Sequence, residues 1–118
     1  MKKEKHAIVV GGGPAGMMAS SVIAGAGVGV TLLEKNKRLG KKMLISGKGR
    51  CNVTNDSDIH TFLEQMPGNG KFLYSAYRNF SAAAVMDWFE RRGVPLKTER
   101  GNRVFPASDR SSDIVGCM

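Results

Sequence analysis

The stretch Ala7-Ile8-Val9-Val10-Gly11-Gly12-Gly13-Pro14-Ala15-Gly16 sends an apolar tetrad straight into a run of glycines. Gly11, Gly13 and Gly16 spell G-x-G-x-x-G, and seven glycines fall within residues 11–29. Alone, that pattern is a weak signal. Here residues 28–33 form a second apolar run ending in Glu34, eighteen residues past Gly16. Strand, glycine turn, helix, strand and terminal acid, in that order and spacing, make a dinucleotide-binding fingerprint. Gly11 allows a tight turn at dihedrals that a residue with a Cβ reaches only with strain. Gly13 lets a pyrophosphate approach the backbone, and Gly16 lets the helix lie close on the sheet. Pro14 suits the first helical turn, where its missing N–H costs nothing. With Ala15 it starts a helix whose unpaired N–H groups and positive dipole end face the phosphates. Glu34 accepts hydrogen bonds from both hydroxyls of an adenosine ribose and repels a 2′-phosphate, which selects FAD or NAD over NADP.

Met1-Lys2-Lys3-Glu4-Lys5-His6 is basic, residues 7–33 carry no charge, and Ala24-Gly25-Ala26 mimics a small-residue cleavage site. Those are ingredients of a secretory leader or, by length, of a membrane span. The glycines and Pro14 break the stretch into pieces of four, about twelve and six residues, whereas a leader needs one continuous apolar helix. The expectation is a cytoplasmic protein with no membrane partner.

At 118 residues the chain has room for one domain, and its 42% hydrophobic and 24% charged content is that of a soluble globular protein. Cys51 and Cys117 lie sixty-six residues apart with no CxxC, which fits a reducing compartment and no metal site. His6 and His60 lack Cys or His neighbours at ligand spacing and are expected at the surface. The net charge of +8 is concentrated: residues 35–50 hold Lys35, Lys37, Arg38, Lys41, Lys42, Lys48 and Arg50 with no acid among them. No aromatics interleave with this stripe and no recognition motif accompanies it, so a nucleic-acid partner is not expected. Part of the stripe reads as a solvated loop. The rest, with Lys35, Arg38 and Lys42, reads as a cationic lip around the diphosphate or a second anionic ligand.

Residues 6–10 read as a strand, 14–26 as the phosphate-binding helix and 28–33 as a second strand. A nicotinamide-type domain would continue with a helix and an apolar third strand. Residues 35–58 instead read as a polar, glycine-rich loop, which favours the FAD-type arrangement over a dehydrogenase half. Asp58 is expected to cap a short helix to Met66, ended by Pro67-Gly68-Asn69-Gly70. The spacing of Phe72, Leu73, Tyr77 and Phe80 predicts helix over 71–80. Ser81 caps a helix to Arg92, stopped by Gly93. Residues 94–98 and 103–105 flank Glu99-Arg100-Gly101-Asn102 as a β-hairpin, and Ser108 or Asp109 caps a last helix. Phe72, Tyr74, Tyr77, Phe80, Trp88 and Phe89 are expected in helix packing rather than in a flavin-stacking box. The fold class is α/β: a Rossmann-like FAD/NAD(P)-binding βαβ unit and following loop over 1–57, then helices and a hairpin over 58–118.

The second informative stretch is Gly40-Lys41-Lys42-Met43-Leu44-Ile45-Ser46-Gly47-Lys48-Gly49-Arg50-Cys51-Asn52-Val53-Thr54-Asn55. Gly47 and Gly49 alternate, so that backbone N–H groups can face an anion or the polar edge of a flavin. Ser46, Asn52, Thr54 and Asn55 add donors and acceptors, and Arg50 a planar cation. Cys51 has no His or second Cys near it in sequence, so an inert thiol is the preferred reading over a nucleophile.

The GGGPAG turn, Glu34, the GKKMLISGKGRCNVTN segment and the later GNRVFPAS together resemble the BaiN-like family of bacterial FAD-dependent oxidoreductases, which includes aminoacetone-oxidase-type enzymes. The resemblance runs over the whole chain, and SGKGRCNVTN is its most specific part. It implies that Gly11, Gly13 and Gly16 hold the FAD diphosphate and Glu34 the adenosine ribose. Ser46, Gly47, Gly49, Arg50, Cys51 and Asn52 would line the flavin side of the loop. Arg38 and Gly40 match part of a second glycine motif, with Lys41 where another glycine is common. The two-cysteine redox pair of disulfide reductases is missing. The implied activity is hydride transfer through flavin to or from a small-molecule substrate, with NAD(P)H as a candidate electron donor. Family members run to several hundred residues, so the chain is expected to be the N-terminal portion of a single FAD/NAD(P)-binding domain, lacking the parent's C-terminal part. No residue stands out as a general acid or base. A non-catalytic dinucleotide-binding fragment and an NAD-binding dehydrogenase half remain open alternatives.

Overall fold

A computed structural model describes residues 4–118; residues 1–3, the basic start of the leader reading, lie outside the described residues. The chain opens as β1 (His6–Val10), α1 (Pro14–Gly25) and β2 (Gly29–Leu33). β1 and β2 pair in parallel, from His6 opposite Gly29 to Val10 opposite Leu33. Period-two alternation assigns the faces. Ala7, Val9, Val30 and Leu32 turn toward α1, while His6, Ile8, Val10, Thr31 and Leu33 lie exposed on the other side. Pro14 occupies the first turn of α1, and the helix ends at Gly25 with Ala26 as its C-cap.

Residues 35–58 depart from the expected plain loop. They contain α2 (Lys41–Gly49), broken by non-helical dihedrals at Ser46, Gly47 and Lys48, and then β3 (Thr54–Asn55). β3 does not extend the parallel sheet. It joins a separate antiparallel sheet in the order β3-β5-β4. The local reason for the misreading is that only Met43 of α2 is buried, and its second half is glycine-rich.

Two capping signals in the second half act as read. Asp58 accepts from the Thr61 N–H at 2.8 Å to start α3 (Ile59–Glu64), and Ser81 Oγ accepts from the Ala84 N–H to start α5 (Ala82–Glu90). Of residues 71–80, all but Phe80 are helical, as a 3-10 turn over Gly70–Leu73 followed by α4 (Tyr74–Asn79). β4 (Leu96–Glu99) and β5 (Arg103–Pro106) form the hairpin, with Glu99 opposite Arg103. The last helix, α6 (Ser111–Cys117), is entered differently from the expectation. Arg110 sits at its N-cap with no side-chain cap, Ser108 hydrogen-bonds the Asp113 carboxylate, and Asp109 turns toward Lys97 and Arg50.

Met17, Met43, Cys51, Phe89 and Ile114 form the core that unites α1, α2, α5 and α6. Ser111 Oγ donates to Leu44 O at 3.0 Å, tying α6 to α2. The aromatics divide. Phe89 is buried with Trp88 edge-on to it, and Phe62 stacks on Tyr77 at 4.7 Å. Phe72 and Tyr74 do not enter helix packing; Phe72 is 80% exposed.

Candidate functional site

The site is built around Gly12. Gly11 leaves β1 at φ +103, and its N–H donates to Leu33 O at 2.8 Å, fastening the glycine turn to the end of β2. Gly12 is buried; its N–H donates to Glu34 Oε2 at 2.7 Å and its carbonyl accepts from the Gly40 N–H at 2.7 Å. A Cβ on Gly12 would stand 2.4 Å from Leu39 Cδ2 and 2.9 Å from Glu34 Oε2. Three segments therefore meet at a position that the fingerprint treats as variable, and sequence reasoning gave it no role.

Gly13 and Gly16 differ in kind. Nothing lies within 4 Å of a Cβ built on Gly13, which leaves room above the turn for a ligand. On Gly16 the same atom would stand 1.8 Å from Gly11 O and 3.4 Å from Val9 Cγ1, so the close helix-to-strand contact requires glycine. Met17 N–H bonds Gly13 O at 2.9 Å, so the N–H groups of Ala15 and Gly16 have no partner inside α1. The first turn of α1 carries no acid. These free donors and the positive helix end make an anion cradle of the kind a diphosphate fills.

Glu34 stands at the mouth of that cradle. Its Oε1 accepts from both the backbone N–H and the side-chain amide of Asn36 at 2.9 Å. The Asn36 and Gly12 N–H groups hold its carboxyl below the usual glutamate range. Asn36 was missed; its signal is an amide two residues after the strand-terminal acid, a spacing at which a side chain folds back on the local backbone.

The second motif forms a wall beside the first. A cavity of about 350 Å³ brings Pro14 of α1 together with Lys42, Ser46, Cys51, Asn52 and Phe80. The backbone there winds left-handed: Gly47, Lys48, Gly49 and Cys51 have φ of +57, +59, +83 and +64. Cys51 N–H closes the turn on Ser46 O at 3.0 Å. The Cys51 side chain is 4% exposed, and burial pushes its thiol above the ordinary value of 9.0, so a neutral thiol faces the cavity. The Asn52 amide, oriented by its acceptors, donates to Thr54 O at 3.0 Å and Val104 O at 3.2 Å.

Not every expected residue is brought to that cavity. Gly47 packs instead against the ring of Phe105, and Gly49 is exposed with open space beside it. The Arg50 guanidinium is engaged by Glu99 and Asp109. Lys35, Lys37, Arg38, Lys41, Lys42 and Lys48 are exposed. Among the described residues, none of these six enters an ion pair with a side chain.

Residues 5–118 match the family described as HI0933-like protein Rossmann domain. The chain belongs to this family. It is 34% identical over 113 residues to the ribosomal RNA dihydrouridine synthase of Escherichia coli, covering 95% of this chain and 27% of that protein. It is 29% identical over 110 residues to the 3-dehydro-bile acid delta(4,6)-reductase of Clostridium scindens, covering 91% of this chain and 26% of that enzyme. A shorter likeness, 52% over 40 residues, links it to the L-amino-acid oxidase of Naja atra, covering 34% of this chain and 8% of the oxidase. The chain thus spans about a quarter of the length of the first two relatives. Membership in the HI0933-like Rossmann family agrees with the resemblance carried by GGGPAG and SGKGRCNVTN, and with the α/β fold. No helix among the described residues is long and apolar enough to cross a membrane.

Proposed function

We propose that the chain holds the adenosine-diphosphate end, and part of the flavin side, of an FAD site in a cytoplasmic flavoprotein oxidoreductase. The observation that carries this reading is the junction at Gly12, which sets the Glu34 carboxylate beside an open, unneutralised helix N-terminus. Gly11, Gly13, Pro14, Ala15 and Gly16 would hold the diphosphate, and Glu34 the ribose hydroxyls. Lys35, Arg38 and Lys42 would screen the phosphate charge from the rim. Ser46, Cys51 and Asn52 would face the flavin side across the cavity they share with Pro14. When bound, FAD supplies a two-electron acceptor for hydride, with NAD(P)H as a candidate donor, and the protein supplies orientation and electrostatics. The apolar part of the cavity, with Phe80 and Phe89, would give the flavin side an apolar wall.

The antiparallel placement of β3 supports FAD over a nicotinamide-type dehydrogenase half, because no third strand extends the parallel pair among the described residues. The test is mass spectrometry of the ligand released from the full-length protein carrying this chain. FAD is expected and NADP is not; recovery of NADP from this site would remove the argument from Glu34.

A small-molecule substrate is the leading reading. RNA has a specific claim beside it, because six exposed cations without ion-pair partners among the described residues follow Glu34 within residues 35–48 and two relatives are named for an activity on ribosomal RNA. Binding of RNA fragments with a steep salt dependence supports the second reading, and salt-insensitive or absent binding supports the first.

A further inference from the structure

The geometry points to Arg50 as a positioning residue: its guanidinium locks the left-handed turn over residues 47–51 to the β4–β5 hairpin and so holds the cavity wall in place. Arg50 Nη1 donates to Glu99 Oε1 at 2.9 Å and Oε2 at 2.7 Å, and to Asp109 Oδ1 at 3.3 Å. Lys97 Nζ reaches Asp109 at 2.8 Å. Two cations face two carboxylates, so the charge of Arg50 is neutralised within the protein and is not offered to a bound anion. The guanidinium also lies 3.9 Å from the centroid of Phe105, which is 2% exposed.

The opposite element touching that ring is Gly47, where an added Cβ would stand 3.0 Å from Phe105 Cε1 and 2.9 Å from Asn52 N. Val53 N–H then donates to Val104 O at 2.9 Å. The turn is therefore fixed to the hairpin by a ring contact, a backbone hydrogen bond and an ion pair. Of these, only the ion pair is adjustable without disturbing the core, since Arg50 and Glu99 remain 28% and 30% exposed. Lys48 and Cys51 sit at φ of +59 and +64, positions that such residues leave unless held. Arg50 lies between them in sequence and supplies the hold. The lock can be assessed without flavin; its effect on the flavin rests on the FAD reading above.

The experiment is a double-mutant cycle of Arg50→Lys and Glu99→Gln in the full-length protein. Two quantities are read: amide hydrogen exchange over residues 47–52, and FAD affinity with the absorbance band of the bound flavin. Each single variant is expected to speed exchange over that segment and to weaken FAD about threefold to tenfold with the same band change. The double variant is expected to fall short of the sum of the two singles, because both weaken the Arg50–Glu99 pair while the Asp109 and Phe105 contacts belong to Arg50 alone. Unchanged exchange in both singles overturns the lock. So does a loss of FAD in Arg50→Lys without faster exchange over residues 47–52, which would make Arg50 a direct flavin ligand. If the full-length protein retains no FAD at all, the FAD reading fails while the exchange measurements still decide the lock.

Discussion

At the scale of single residues, the three glycines of the fingerprint carry separable duties, and substitutions pull them apart. Gly13→Val places a branched side chain in open space, so the fold is expected to keep its thermal transition while FAD is lost. Retention of FAD at the parent affinity would show that the diphosphate lies elsewhere. Gly16→Ala should do the reverse damage: its Cβ would stand 1.8 Å from Gly11 O, and overpacking of backbone on backbone costs about 1–3 kcal/mol or more, read as a lowered denaturation midpoint. Glu34 is expected to act through its charge. Its folded carboxyl titrates below the ordinary 4.5, so the ionised form accepts the Gly12 and Asn36 bonds at neutral pH. A depressed acid contributes fully above its unfolded value and loses that contribution as pH falls through the folded one. FAD affinity should therefore be flat through the neutral range and weaken only in acid, as pH falls through the lowered pKa of the folded carboxyl. Glu34→Ala should weaken FAD roughly tenfold to a hundredfold at neutral pH, the scale of losing hydrogen bonds to a charged acceptor, and should abolish that acid limb. Isothermal titration of both proteins across pH checks it.

At the scale of elements, the broken helix α2 is where local sequence and tertiary demand part company. Gly47 is held at φ +57 with the ring of Phe105 against it, whereas Gly49, at φ +83, faces open space. Gly47→Ala combines a left-handed penalty with a clash and should destabilise by about 2–4 kcal/mol; Gly49→Ala carries only the first, about 1–2 kcal/mol. Equal losses on chemical denaturation would mean that Phe105 does not press on the turn. These positions also explain what could be read in advance. β1, α1, β2, the hairpin and the caps at Asp58 and Ser81 were legible because each is specified within a few residues by alternation, a glycine turn or a capping side chain. α2 was not, since its helical turn buries only Met43 and its glycines signal a loop. β3 is two residues long and exists only by pairing with β5, almost fifty residues later. The α6 cap failed for the same reason: Asp109 answers to Lys97 and Arg50, distant in sequence. In the site, Glu34 and the fingerprint glycines were legible as types in a pattern. Gly12 was hidden because its constraint comes from Leu39 and Glu34, and the engagement of Arg50 because its partners lie in the hairpin.

At the scale of the whole molecule, the parallel pair is covered on one face only. α1 packs on Ala7, Val9, Val30 and Leu32, while Ile8, Val10 and Leu33 are 67%, 81% and 50% exposed on the other face. The radius of gyration, 15.5 Å, exceeds the ~13.5 Å of a compact chain of this length. A contiguous apolar strip along a two-stranded sheet is a surface that seeks cover, and such a small sheet is marginal without it. The 118-residue chain on its own is therefore expected to self-associate in sedimentation velocity, to bind a hydrophobic dye, and to take up FAD weakly and without turnover. Ile8→Thr with Val10→Thr should suppress the association without lowering the thermal midpoint of the chain, because neither side chain touches α1. In a longer protein where additional polypeptide covers this face, the same pair of substitutions would open a buried apolar contact and cost about 1–3 kcal/mol per side chain. Association that persists in the doubly substituted chain, or a longer protein carrying this chain that is indifferent to both changes, would show that the exposed strip is an ordinary surface.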